Sequence, residues 1–343
     1  MSRRLPVTPA LGTLPPSRRR VKGRGVRQVA KRGRRPQNAP VHRAFYVLTL
    51  VAALVGDATV SGQSTRLETL PVHGQVSMIT NGSTNVVLQA GSQGVLLVDT
   101  LSEPDSARLL EAVRSRAGAR PIRYIVNTHA DADFTGGNEN FGKSGAIVVA
   151  HENVLTAMSA PAGGRPAAPF AAWPTDTFFQ DERTMYFNGE GIQLVHVPRA
   201  TTDGDVLVFF RSSDVIAAGD IYSTVGYPRI DVARGGHVNG VIEGLNRLID
   251  LAISEQFTEG GTRIVPGRGR VSDEFDVVEY RDMVTIVRDR VQALVAKGQT
   301  LEQVKAARPT LDWEPRYGST AGPWTTAQFV EAVYRSLTIQ GGK

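Results

Sequence analysis

The chain has 343 residues, 41% hydrophobic and 21% charged, enough for one domain of roughly 200–250 residues with extensions. Its net charge of +6 belongs to one end: residues 1–43 hold 13 Lys and Arg and no Asp or Glu, which leaves 26 basic against 33 acidic residues, a net −7, over residues 44–343. No cysteine is present, which excludes disulfides, thiolate nucleophiles, thiolate metal sites and a lipid anchor on cysteine.

In chain order, residues 1–43 read as a disordered basic leader. It lacks aromatic interleaving and stands directly before an apolar run, which argues against a nucleic-acid partner. That run, Ala44 to Val55, is too short for a spanning helix of about 20 residues. Small residues follow, with Val60-Ser61-Gly62 as a cleavage-like site. Basic, apolar and small segments in this order make a signal-peptide-like stretch over residues 44–62. The expectation is an exported protein, periplasmic or secreted, that meets a membrane only through this segment. An early start codon or an uncleaved anchor accounts for the long leader; a buried strand or helix of the fold is the alternative.

Short β-rich runs then follow over Gln75–Thr80, Asn85–Ala90 and Gly94–Thr100, broken by Asn81-Gly82-Ser83 and Gly91-Ser92 as hairpin turns. Ser106 to Arg116 has helical apolar spacing, Ile122–Asn127 and Ala146–Ala150 read as strands, and Glu152–Ser159 as a helix. Residues 160–175, rich in Pro, Ala and Gly, read as a surface loop. A second strand-rich half occupies Thr184–Phe187, Ile192–Val197, Val206–Phe210, Val215–Ala218 and Arg263–Val265, with an amphipathic helix over Val238–Ala252. Two strand-rich halves, each finished by helices, predict an α/β fold of two face-to-face sheets with helices outside, a four-layer αββα sandwich over residues 63–271. Residues 272–343 read as a helical extension, with a capping box at Thr300-x-x-Gln303 and an amphipathic helix from Trp324 to Leu337.

The chemistry concentrates after the strand Ile122–Val126, in Thr128-His129-Ala130-Asp131-Ala132-Asp133-Phe134-Thr135-Gly136-Gly137. A histidine and two carboxylates alternate at every second position, which in an extended loop turns them to one side. Crowded carboxylates repel unless a cation lies between them. The loop resembles the T-H-x-H-x-D-H-x-G-G motif of the metallo-beta-lactamase-fold hydrolases, with His129 and Asp133 matching. Further segments carry the resemblance over residues 72 to 270: Gly94 to Thr100, a strand ending in Asp99; Pro198 to Asp205, like P-x-x-H-T-x-G-D; Ala218-Gly219-Asp220; and Pro266-Gly267-Arg268-Gly269, like P-G-H-G. The resemblance implies the metallo-beta-lactamase sandwich and a metal-activated water attacking an ester, thioester or amide (lactam) carbonyl of a small-molecule substrate. It makes His129, Asp131, Asp133 and Asp220 the candidate ligands, with Asp131 at a histidine position and Asp133 orienting the water.

Three ligand positions of that pattern are substituted, by Phe134, Thr201 and Arg268. Phenylalanine has no lone pair, threonine is a weak neutral donor and arginine stays protonated. A full dinuclear zinc site is therefore not expected. One divalent ion on His129, Asp131 and Asp220 is one reading, oxygen-rich enough to admit Mn²⁺, Fe²⁺ or Mg²⁺ beside zinc. The other is a non-catalytic relative in which Arg268 replaces the metal charge against Asp131, Asp133 and Asp220, with Phe134 filling the space of an imidazole. Around this centre, Asp99 reads as orienting a loop or ligand, His196 as a packed or supporting histidine, and His151 as a surface residue at a helix start. His237 and Tyr227 lie on a loop able to reach a cleft. Asp203 and Asp205 read as holding their own turn. No G-x-S-x-G elbow occurs. No motif specifies a substrate or an oligomeric state.

Overall fold

The computed structural model describes residues 66–161, 166–257 and 259–338. The leader and the signal-like segment expected over residues 1–62 lie outside them. Seven strands follow one another across the first sheet: β1 (Glu68–His73), β2 (Val76–Thr80), β3 (Asn85–Gly91), β4 (Gly94–Val98), β5 (Ile122–Val126), β6 (Ile147–His151) and β7 (Asp176–Phe178). Hairpins join β1 to β4, and β4 to β7 run parallel. The second sheet holds β8 (Glu182–Phe187), β9 (Glu190–Val197), β10 (Asp205–Phe210), β11 (Val215–Ala217) and β12 (Arg263–Val265), with β12 parallel to β11 at one edge.

Alternation along the strands makes the layers. Val87, Leu96, Val98 and Val126 of the first sheet meet Ile192, Leu194, Val206 and Val208 of the second in one buried cluster. The opposite faces bind helices. Val86, Leu88, Leu97 and Ile125 pack on α1 (Ser106–Ala117) through Leu109 and Val113. Short helices α2 (Ala132–Thr135) and α3 (Asn138–Lys143) follow β5, and α4 (Glu152–Ser159) follows β6. On the other side Val195, Leu207, Ile216 and Ile264 pack on α5 (Val238–Leu251), α6 (Glu274–Ala296) and the chain beyond it. The result is the αββα sandwich expected from the two strand-rich halves.

Beyond α6 come α7 (Leu301–Ala306), α8 (Glu314–Tyr317) and α9 (Thr326–Thr338). The Thr300/Gln303 capping box is formed on both sides. Phe329, Val330 and Val333 of α9 enter the same cluster as Val241 and Leu245 of α5. Two strands escaped the sequence reading. β1 is short and mostly exposed, so it lacks a buried alternation. β7 lies just after the stretch assigned to a loop and is three residues long. The expected loop itself closes on a short turn, Phe170–Ala172, with Ala172 buried.

Candidate functional site

Three loops at one end of the sheets build the site, and glycines let them touch. Asp99 ends β4 with φ 67° and accepts from the Thr128 backbone N–H at 2.9 Å and from Thr128 Oγ1 at 2.7 Å. That fixes the start of the His129 loop. Thr128 Oγ1 spends its proton on Asp99, so it accepts from His129 Nδ1, 2.9 Å away. The Nδ1–H form leaves the Nε2 lone pair facing inward. Gly219, at φ +53°, approaches Thr128 so closely that a Cβ there would lie 2.7 Å from Oγ1. Gly267 in turn packs on Gly219, donating to its carbonyl at 2.8 Å; a Cβ on Gly267 would sit 2.6 Å from that backbone and 2.7 Å from Asp220 Oδ1. The expected convergence of residues from Thr128 to Gly269 is therefore present.

At its centre His129 Nε2 is buried and without a hydrogen-bond partner. Asp131 Oδ2 lies 3.7 Å away and Asp220 Oδ2 3.9 Å. Burial works against charge on His129, yet the nearby carboxylates of Asp131, Asp220 and Asp205 prevail and raise its pKa to about 9, a proton that a bound cation would displace from Nε2. For Asp131 burial favours the neutral acid, and it is outweighed by the adjacent His129 imidazolium and by Arg234, which together hold the carboxyl well below its usual range. Asp99 goes the other way: its burial outweighs His129 and the two Thr128 hydrogen bonds and lifts its pKa to about 7.

Arg268 lies against the opposite side of Asp220. Its Nε donates to Asp220 Oδ1 at 3.0 Å, and its Nη2 reaches Asp220 Oδ2 at 3.1 Å and Asp133 Oδ2 at 2.5 Å. Nη1 donates to Thr84 Oγ1 at 3.2 Å, and the guanidinium carbon stands 4.9 Å over the Phe134 ring. Phe134 is fully buried and its ring centroid lies 4.4 Å from that of His129. Thr201 is also buried, donating to Asp205 Oδ1 at 2.6 Å, while Asp205 Oδ2 accepts from Thr202. The turn-holding role read for Asp205 is what the structure has.

The expected company of Arg268 needs one correction. It bonds Asp220 and Asp133, whereas Asp131 is bonded by Arg234, a residue that sequence reasoning passed over. Arg234 ends a turn capped by Asp231, which accepts from Ala233 and Arg234 N–H and from Arg234 Nε at 2.8 Å. The signal was an aspartate three residues before Arg234-Gly235-Gly236, a capped turn returning over the cleft. Arg229 was missed as well, with Nη1 3.6 Å from Asp133 Oδ2.

Other assignments fall outside the centre. His237 caps α5, its Nδ1 accepting from Asn239 N–H at 3.0 Å. Tyr227 is buried, its ring stacked on Phe329 at 4.6 Å and its hydroxyl donating to the Thr310 carbonyl at 3.3 Å, and it lines a small pocket with Asp220, Arg229 and Arg268. His196 is packed as expected: Nε2 hydrogen-bonds the Asp203 carbonyl at 2.8 Å, and the ring stacks on His151 at 3.6 Å. His151 is not a surface residue. It is 3% exposed and caps α4 from beneath, because β6 runs buried right up to the helix start.

Among the described residues, His129, Asp131 and Asp220 are the group whose ligand atoms lie within 4.8 Å of one another. A buried imidazole lone pair with no partner, aimed between two carboxylates, fits one divalent cation. The second position of a two-ion centre does not fit: a guanidinium lies between Asp133 and Asp220, and a phenyl ring stands beside it. A cleft of about 720 Å³ opens from Asp131, Asp133, Arg229 and Arg234 toward Trp324 and the α9 residues Gln328 and Arg335.

A family model described as the metallo-beta-lactamase superfamily matches residues 79–291. The chain is 26% identical over 166 residues to the 2,4-dinitroanisole O-demethylase subunit alpha of a Nocardioides species, covering 46% of this chain and 49% of that one. It is 23% identical over 252 residues to the linear primary-alkylsulfatase of a Pseudomonas species, covering 62% and 47%. It thus spans about half the length of these curated relatives. Among solved structures, the sec-alkylsulfatase Pisa1 from a Pseudomonas species superposes with a TM-score of 0.57 at 17% identity, over 78% of this chain and 50% of that one. A metallo-beta-lactamase from Pontibacter korlensis gives 0.51 at 17%, over 64% and 99%.

Proposed function

The chain belongs to the metallo-beta-lactamase superfamily, and from that premise we propose that it is an exported hydrolase of this fold whose two-ion centre is reduced to one cation position. His129, Asp131 and Asp220 hold the ion, and Arg268 takes the place of the second. The observation that carries this reading is the Arg268 guanidinium hydrogen-bonded to both Asp220 and Asp133. A bound divalent ion at such a site supplies a water of lowered pKa and a Lewis acid. The chain's own groups do the rest. Asp133 borders the open cleft and orients the attacking water. Arg229 faces the same carboxylate at 3.6 Å and offers a cation to charge developing on the substrate. Asp99 fixes the His129 tautomer through Thr128. The substrate is a small ester-type molecule; the curated relatives carry names of enzymes that act on an alkyl sulfate and an aryl methyl ether. The basic and apolar order of residues 1–62 supports export.

A second reading is favoured by one specific observation. Both carboxylates beside His129 already have a guanidinium, Arg234 on Asp131 and Arg268 on Asp220. The cluster is then a closed ionic network, and the cleft binds without turnover. Metal counting on purified protein, with chelator-sensitive hydrolysis of a generic lactam or ester as the second readout, separates the two. The hydrolase reading expects one ion per chain and turnover abolished by chelator. Restoring histidine by Phe134→His, Thr201→His and Arg268→His together raises the count to two. No bound ion and no turnover until the triple restoration establishes the closed network. Two ions in the natural chain overturn both.

A further inference from the structure

A second cavity, of about 710 Å³, joins the site on the side away from α9. Its volume lies within the roughly 300–1,000 Å³ of small-molecule pockets. The walls are small and apolar: Ala132, Ala157, Met158, Ala160, Pro169 and Ala172. They come from α2, from α4 and from the chain that follows it, and Ala172 and Met158 belong to one buried cluster. Among the described residues no aromatic side chain lines the cavity. Its charged groups are Glu103, Asp133, Glu139 and Arg234, of which Glu139 is paired with Lys143 at 2.6 Å. Asp133 and Arg234 border both this cavity and the polar cleft against α9. The reacting groups therefore stand at the junction of an apolar chamber and a charged one.

We propose that this cavity holds a flexible straight alkyl chain of the substrate, with the scissile bond at the Asp133–Arg234 junction and the polar end in the cleft toward Arg335. The inference rests on the hydrolase reading above and gives it a substrate class, an amphiphilic ester. Walls of alanine and proline lose no rotamer freedom when covered, and a lining in which alanine, proline and methionine outnumber the polar side chains favours methylene over water. The lack of rings removes the stacking that would favour an aryl group.

The test is calorimetric binding of neutral 1-alkanols of increasing length to the whole chain, with and without chelator. Affinity is expected to rise about fourfold per methylene until the cavity is full, then to level off. Ala157→Trp and, separately, Ala160→Trp at the more exposed position are expected to weaken the longest bound alkanol more than tenfold with thermal unfolding unchanged. Affinity independent of chain length, or a length dependence identical in the natural chain and both variants, overturns the proposal. The two readings fail differently. Length-dependent binding to a chain that holds no ion and turns over no ester leaves the alkyl site standing and sinks the hydrolase. One ion per chain and ester turnover without length dependence does the reverse.

Discussion

Arg268 concentrates the physics of the site in one side chain. Its planar fork spreads over two carboxylates, which a lysine's point charge cannot do. Asp220 is 4% exposed and Arg268 7%, so removing the cation strands a buried negative charge. Arg268→Ala is expected to cost about 3–5 kcal/mol, read as a lowered urea midpoint at constant slope. Arg268→Lys falls between. Asp220→Asn added to Arg268→Ala returns part of the loss, because the stranded charge goes with it; strict additivity of the two changes would show that the pair is not coupled. Phe134 follows from the same logic. A ring stands where an imidazole would coordinate, and it contacts both His129 and Arg268. Sequence reasoning reached this pairing of substitutions from the family resemblance, which marks Phe134 and Arg268 as ligand positions, and from the chemistry that losing ligands and gaining a cation compensate each other. It did not reach Arg234, whose role depends on how one loop folds back over another.

At the scale of elements, two joints decide whether the site forms. The first is the Pro266-Gly267 turn. Gly267 lies so close to Gly219 and Asp220 that a methyl group meets the Gly219 backbone as well as the Asp220 carboxylate. Gly267→Ala is expected to cost about 1–3 kcal/mol by overpacking and, by shifting Arg268, to weaken the Asp220 pair as well. A stability equal to the natural chain's would show that the turn has slack. The second joint is the start of α4, where His151 caps the helix and stacks on His196. Burial, the His196 charge next, lowers the His151 pKa below 6.5, against the weaker opposing pull of Glu152 and Asp203. A depressed histidine pKa means the unfolded chain binds the extra proton. The stability it confers is present above 6.5 and is lost as the pH falls through the folded value. His151→Asn keeps a capping side chain and removes the titration, so its unfolding midpoint should fall less steeply than the natural chain's between about pH 8 and about pH 5. Parallel curves would mean that His151 is not the titrating group. The strands and helices flanking both joints were legible because buried alternation and helical spacing leave a pattern in the sequence. The joints leave no such pattern: the family resemblance brought Arg268 to Asp220 at the first, and nothing in the sequence announced the second, since loop contact between residues far apart has no periodic signal. His151 was misread for that reason: its burial comes from strand β9 carrying His196 beneath it.

For the whole molecule, the helical extension is a wall of the site and not an appendage. Trp324, Gln328, Glu331 and Arg335 face the cleft that opens from Asp131 and Asp133, and nothing in their spacing announces it, because helix periodicity reports only which face is apolar. That apolar face is extensive. Val277, Tyr280, Met283, Val284, Val287, Val291, Phe329 and Val333 are each at most 1% exposed and pack with α5 in one cluster. Burying one such side chain contributes roughly 1.5–3 kcal/mol, so a few of them match the whole net stability of a domain, about 5–15 kcal/mol. A chain ending at Ser272 would bare α5 along Val241, Leu245 and Leu248 and is expected to aggregate on expression. Because that outcome alone has many causes, the intact chain provides the decisive measurement. Two of its three tryptophans, Trp313 and Trp324, lie in the extension. With Trp173→Phe they report on that part alone, while far-UV circular dichroism reports on the sheets and helices together. A shared core predicts coincident denaturant transitions by both probes; a tryptophan transition completed while the remaining secondary structure persists would show the extension to be a separately folding unit laid over the cleft.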